Sequence, residues 1–504
     1  MKRALCFAGS LLAIATLVVH ASGCSEETPA PLNGSPADGG DDPDGGGAVA
    51  PLADPAVPCG DAVDAVYGDP GAVPTDDASR GKILKCSKDA DLAKDALQAE
   101  LTRLGYTGKP VASGARTYKV LYRTTRGDAA STPGYSSAIV YVPTTQRADK
   151  LPIVVAARGS RGQAARCAVS KFDPALGGIN DDAHRLAYTL VGNGYAVIVP
   201  DLAGYANFGA ANNPPSAYAQ AADVGRSTLD GSRALKQLFP QLDDKTILVG
   251  HSQGGHSALS ALALADSYGA AGTIAGVAVY APLWLSQRTW GSILEAGIAN
   301  DRDYTIAKLA SPSAIAVWYH YTQAELLDGP GEGIKLFKAD KQAAVKEFVD
   351  GACWGEYKLL SDNAKFAYEL FVDGFPAAIG NPAAGLSQCN GDATCDKWIG
   401  RYKADRPNLT GAAATTPILM MYGGADTTIT PDRMACALDR LKSDGTNLTV
   451  CYEGTADHAS IIDVRGEHVA DWIASLTLGA TAPAACAANE SAITATCATP
   501  PPND

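Results

Sequence analysis

The 504-residue chain is poor in charge, at 19% Asp, Glu, Lys and Arg, and poorer in positive charge, with 41 Lys and Arg against 54 Asp and Glu. A net charge of −13 offers no basic surface for nucleic acid or an anionic bilayer, so neither is an expected partner. Beyond the first twenty residues no apolar run is long enough to cross a membrane. There is no C-x-x-C and no clustering of the seven histidines, so no metal site is expected. No internal repeat is evident. What the chain does have is core material: 46% hydrophobic residues suit one large domain with an insertion, or two to three ordinary ones.

The two ends read as something other than core. Lys2 and Arg3 precede an apolar run, Ala4 to Val19, and then "HASGC". Residues 1–23 therefore read as an export signal. "ASGC" resembles a bacterial lipobox, with Ala21 where leucine is commonest, which makes Cys24 the candidate lipidation site. A lipid anchor there is the expected membrane contact, with plain cleavage and secretion as the alternative. Ser25 after it, rather than aspartate, points to the outer membrane. Residues 24–58 include "NGSPADGGDDPDGGGAVAPLADPAVP", a Gly, Pro and Asp mixture that buries no core. It reads as a tether rather than a calcium loop, because no ligand spacing repeats. Residues 481–504, ending "CATPPPND", read as a C-terminal tail. Once Cys6 and Cys24 are set aside ten cysteines remain, and an even count in an exported chain implies disulfides. Cys389–Cys395, Cys436–Cys451 and Cys486–Cys497 are the local pairs to expect, although spacing does not fix connectivity.

Between the ends, strand and helix signals alternate. Strands are predicted over 116–124, 136–144, 152–159, 195–201, 246–252, 276–282, 417–424 and 448–454. The first two alternate in polarity, as half-exposed antiparallel strands do, and the later ones are continuous apolar runs suited to a covered parallel sheet. Helices are predicted over 182–192, 217–238, 254–268, 431–442 and 459–476. The expected class is α/β, with eight strands in a mostly parallel sheet. From Leu283 to about Thr416 no clear strand appears, yet five of the six tryptophans fall there: Trp284, Trp290, Trp318, Trp354 and Trp398. A structureless loop of that length is implausible, so a mostly helical insertion over 283–416 is expected, between core segments 59–282 and 417–480.

The run "ILVGHSQGGHSAL" (247–259) places a serine between glycines where strand-formers give way to helix-formers. Gly250-His251-Ser252-Gln253-Gly254 is the G-x-S-x-G pattern, in which a tight strand-to-helix turn strains the serine and brings Gly250 close to Gly254. The helix that follows directs free N–H groups at the hydroxyl, which makes the backbone N–H of Gln253 a candidate oxyanion donor. A serine needs a base, and in such a fold an acid and then a histidine follow it in the chain. Asp426, just past "PILMMYGG", is the candidate acid, with Asp432 and Asp457 as substitutes. His458 in the loop "YEGTADHAS" is the candidate base, with His468 inside a helix as the weaker choice. His251 and His256, flanking the serine, read as packing residues. The loop "AARGSRGQAARCAVS" supplies the second oxyanion donor: the N–H of Ser160, with Gly159 allowing close approach of the backbone to the substrate oxygen.

Together these residues resemble the secretory lipase family of α/β-hydrolases, whose members carry a large helical lid. The resemblance runs from about 110 to 476 and rests on "GYAVIVPDLAGYA" (194–206), "ILVGHSQGGHSAL", the long insertion, "MMYGGADTTITP" (420–431) and "GTADHASI" (454–461). The loop "GSRGQAARCAVS" matches with two departures, Arg158 in place of the family's histidine and Val169 in place of its proline. The resemblance implies an α/β-hydrolase fold, a Ser252, Asp426 and His458 triad, and carboxylic-ester hydrolysis; the aromatic-rich insertion suggests lipids or short-chain esters as substrates, and such acyl transfer needs no metal or organic cofactor. A serine peptidase on the same fold and an inactive surface-anchored binding lipoprotein are the competing expectations. The tryptophans of the insertion line an apolar substrate pocket or form the core of the lid.

Overall fold

The apolar runs line up as neighbouring strands of one sheet. In the computed structural model, residues 49–171, 182–284, 306–380, 389, 391–486 and 490–493 are described. The export signal, Cys24, residues 24–48 of the tether, Trp290 and Cys497 lie outside them.

Nine strands pair in one sheet: β1 (Ile83–Lys88), β2 (Ala115–Thr125), β3 (Pro133–Pro143), β4 (Ile153–Ala157), β5 (Val197–Ala203), β6 (Lys245–His251), β7 (Thr273–Tyr280), β8 (Ile418–Gly423) and β9 (Leu448–Glu453). Their order is β1-β2-β3-β5-β4-β6-β7-β8-β9. The pairs from β1 to β5 are antiparallel, and those from β5 through β4 to β9 are parallel. Every residue of β4, β5 and β8 is buried, as mostly apolar runs require in a sheet covered on both faces.

Helices of ten or more residues are α1 (Lys94–Leu104), α2 (Asp182–Gly192), α3 (Ala221–Leu238), α4 (Gln253–Tyr268), α5 (Ile306–Leu327), α6 (Gln342–Gly351), α7 (Ala393–Asp405), α8 (Pro431–Ser443) and α9 (Ser460–Thr477). Helix α3 packs on α4, and α2 packs on α1 and α9.

Four expectations need correction. The sheet has nine strands, not eight, because β1 pairs with β2 at the edge. Its sequence, "ILKCSK", is half polar, and it is held by the Cys59–Cys86 disulfide and by a 2.8 Å bond from the Cys86 N–H to Asp61. Next, β2 and β3 are antiparallel as expected but almost wholly buried. Their polar residues are satisfied inside: Thr124 donates to Asp230 at 2.7 Å, Ser137 donates to Asp201 at 2.6 Å, and Arg123 reaches the Pro74 carbonyl. The tether also ends earlier than 58. Leu52 is 4% exposed in the core, and the Ala56 N–H bonds the Leu238 carbonyl at 2.8 Å.

Finally, the cysteines pair differently. Cys389–Cys395 forms, but Cys451 of β9 bonds Cys486, which excludes both Cys436–Cys451 and Cys486–Cys497. Helix α9 turns the chain back onto β9, a proximity that sequence spacing does not measure; it also fixes the start of the expected tail.

Among the described residues of the 283–416 segment no strand joins the sheet. Its described tryptophans pack into the core shared with the sheet. Trp318 stacks on Phe348 at 5.1 Å and lies 6.2 Å from Trp354, while buried Trp398 packs on His320 and Phe375. Aromatic pairs of this kind add about 0.5–1.5 kcal/mol each beyond area burial. The disulfide Cys167–Cys353, closing 186 residues, and a 2.8 Å bond from Trp354 N–H to the Arg161 carbonyl fasten this segment to the loop after β4.

Candidate active site

Strand β6 ends at His251 and α4 begins at Gln253, which leaves Ser252 to make the whole turn. It does so at φ 54° and ψ −119°, a conformation that costs a non-glycine residue on the order of 1–3 kcal/mol. The turn closes only because its flanks are glycine: a Cβ on Gly250 would collide with the Gly254 carbonyl, and one on Gly254 with the Ala157 carbonyl. The strain is locked by Ser252 N–H bonding the Tyr280 carbonyl at 3.0 Å and by its own carbonyl accepting Leu283 N–H at 2.8 Å. Its side chain stays available, with no hydrogen-bond partner among the described residues.

Asp426 follows β8, and its Oδ1 accepts the N–H groups of Thr428 and Ile429, each at 2.8 Å. That fixes Oδ2, which lies 2.8 Å from Nδ1 of His458. The two loops are also stitched by backbone, Ala425 N–H to the Ala456 carbonyl at 3.0 Å. Asp426 is buried, whereas the His458 side chain keeps 20% exposure, and its Nε2 has no hydrogen-bond partner among the described residues. Burial, then the neighbouring His251, push the His458 pKa below the ordinary histidine value of 6.5, against the opposing pull of Asp426. A ring so placed is oriented at one nitrogen, and the other makes no hydrogen bond among the described residues.

The substitutes occupy other roles. Asp457 caps α9, accepting from Ala459 N–H and from Ser460, and Asp432 sits in the first turn of α8. His468 lies on α9 beside the Cys451–Cys486 disulfide. These three residues are the one grouping of possible metal ligands among the described residues, and its two sulfurs are already bonded to each other. His256 is a packing residue: it is buried against the Asp405 carbonyl, and burial drives its pKa down to about 4.

On the oxyanion side, the N–H groups of Gln253 and Ser160 have no acceptor among the described residues. The Ser160 hydroxyl is held by Tyr218 OH at 2.6 Å. The Gly159 N–H is bonded to Asp182 at 2.5 Å, and a Cβ there would meet Asp182 and His251, so its small size serves internal packing. Arg158 is buried, donating to Gly159 O, the Gln253 side chain, Asp201 O and Tyr205 OH at 2.7–3.0 Å. It thereby clamps the side chain of the residue next to Ser252.

Asp182 and the bonding of His251 were not anticipated from sequence. The Nδ1 of His251 lies 3.2 Å from Asp182 Oδ2, and its Nε2 lies 2.7 Å from the main-chain oxygen of His458. No local pattern signals a contact between positions 69 and 207 residues apart.

Comparison with known proteins agrees with this architecture. A profile of the family described as "Alpha/beta hydrolase family" matches residues 179–441. Solved structures of similar fold include a protein of Legionella pneumophila (16% identity, 78% of this chain and 98% of the other, TM-score 0.61). Lipase A of Candida antarctica in its closed state is another (18%, 88% and 92%, 0.58). A third is the rice cell wall degrading esterase LipA of Xanthomonas oryzae (17%, 79% and 97%, 0.54). At these identities the likeness is one of fold. No curated protein matches the sequence.

Proposed function

The chain belongs to the alpha/beta hydrolase family, and from that premise we propose that it hydrolyses carboxylic esters through Ser252, His458 and Asp426. The observation that carries this is a strained serine at a helix start, with the 2.8 Å Asp426–His458 bond on the neighbouring loops. Ser252 Oγ attacks the ester carbon while its proton passes to Nε2 of His458. Asp426 holds the Nδ1 proton, which sets the tautomer. The N–H groups of Gln253 and Ser160 receive the oxyanion. His458 returns the proton to the departing alcohol, and a water activated by the same ring releases the acid from Ser252. The likeness in fold to a lipase and an esterase supports lipids or shorter esters as the substrate class.

Ser252→Ala is expected to lower p-nitrophenyl ester hydrolysis by about 10⁴-fold or more, with an unchanged circular dichroism spectrum. Retained activity in that variant overturns the reading. Turnover of peptide anilides in preference to esters would make the chain a peptidase, and failure of a fluorophosphonate to label Ser252 would make it a binding protein.

We also place the protein outside the cytoplasm, anchored through Cys24. Disulfides at Cys59–Cys86, Cys167–Cys353, Cys389–Cys395 and Cys451–Cys486 support the oxidising compartment. A palmitate label that disappears in Cys24→Ala is the expected result, and a label that persists removes the anchor.

A further inference from the structure

We propose that Asp182 and His251 form a strut that sets the position of His458 by holding its main-chain carbonyl, which makes His251 a positioning residue for the hydrolysis proposed above. The inference rests on that reading of the site.

The main-chain oxygen of His458 only accepts, so the Nε2 of His251, 2.7 Å away, carries a hydrogen. Asp182 Oδ2, 3.2 Å from the other nitrogen, also accepts. The ring therefore bonds both partners only with a proton on each nitrogen. Burial alone would raise the pKa of Asp182, but the His251 bond and the Arg161 cation prevail and hold it well below the usual carboxylate range. Asp182 also accepts the Gly159 N–H at 2.5 Å and faces Arg161 at 3.8 Å. One carboxylate at the start of α2 thus joins the loop after β4, the end of β6 and, through the ring, the loop before α9.

The groups facing His251 are Asp182 from α2, Arg161 from the loop after β4, and His458, backed by Asp426, from the loops after β9 and β8. The two imidazoles lie 4.5 Å apart at 50°. A residue that only filled space would not use both ring nitrogens. This one fixes the backbone of the proposed base from the residue adjoining the proposed nucleophile, so a shift of β6 carries both together. After burial, the neighbouring His251 also helps hold the His458 pKa below the ordinary histidine value.

Two substitutions separate the roles. Phe at 251 keeps a ring and removes both donors; Gln keeps a donor near the Nε2 position and removes the imidazole. His251→Phe is expected to lower kcat on a p-nitrophenyl ester by about 10–100-fold with KM nearly unchanged, since misplacement of a reacting group by about 1 Å costs on the order of 100-fold. It also moves the acid limb of kcat/KM to higher pH, because His458 loses the imidazole neighbour that lowers its pKa. His251→Gln is expected to recover most of kcat while keeping the shifted limb, and Asp182→Asn to reproduce the loss in kcat. Wild-type kcat and an unmoved acid limb in the Phe variant, or a Gln variant no better than Phe, overturns the strut.

If the Phe variant does not fold, nitrogen NMR of His251 in Ser252→Ala protein decides. Protons on both ring nitrogens near pH 7 support the strut, and a ring protonated on one nitrogen only refutes it. An inactive wild type would sink the hydrolysis reading while leaving this NMR result standing.

Discussion

Two aspartate–histidine pairs stand side by side in this protein, and they differ in one nitrogen. In the Asp426–His458 pair the carboxylate is held by two backbone N–H groups and orients Nδ1, and Nε2 has no partner among the described residues. In the Asp182–His251 pair both nitrogens are committed and the ring is buried. The same two residue types thus give a ring able to take a proton and a ring able only to hold. Residue identity does not distinguish them. What distinguishes them is whether the second nitrogen meets a carbonyl or has no partner among the described residues, and that is a property of the loops around each ring.

The comparison can be broken from either side. The largest effect should come from Asp426→Asn, which leaves the loop geometry and removes the acceptor that sets the tautomer of His458. A loss of about 10³–10⁴ in kcat is expected, the scale of the equivalent change in serine proteases. A loss below tenfold would show that the two pairs had been assigned the wrong way round. A smaller effect is expected from Arg158→Met, which frees the Gln253 side chain next to the oxyanion donor but leaves the N–H itself in α4. A fall of about 10-fold in kcat, with fluorophosphonate labelling of Ser252 retained but slower, is the expected outcome, because the loss of one preorganised donor outright costs 10²–10³. A wild-type rate would show that Arg158 serves only the packing of Tyr205 and the loop after β4.

Legibility followed the range of the interactions. The elbow was readable because its causes lie within five residues: glycines that avoid a collision, strand-formers before and helix-formers after. The central strands were readable because burial on both faces leaves one kind of run. Strand β1 was not, since an edge strand needs a partner on one side only and tolerates Lys and Ser; its position is set by the Cys59–Cys86 bond. The polarity of β2 and β3 misled for a related reason. Alternation normally marks a wet face, but here the polar side chains meet partners such as Asp230 and Asp201 inside the molecule. The tryptophans of the 283–416 segment pose the opposite case, where sequence offered pocket and core equally and the structure packs Trp318 and Trp398 as core.

Local chemistry written along the chain determined that Ser252 must sit on a strained turn ahead of a helix and that apolar runs must stack as a covered sheet, and it offered candidates for the acid and the imidazole. Only the tertiary structure decided that Cys451 meets Cys486, that Gly159 spends its N–H on Asp182, and that the imidazole beside the serine braces the loop of another. Contacts between residues tens to hundreds of positions apart depend on how loops return to the sheet, and no period, spacing or composition along the chain records that distance.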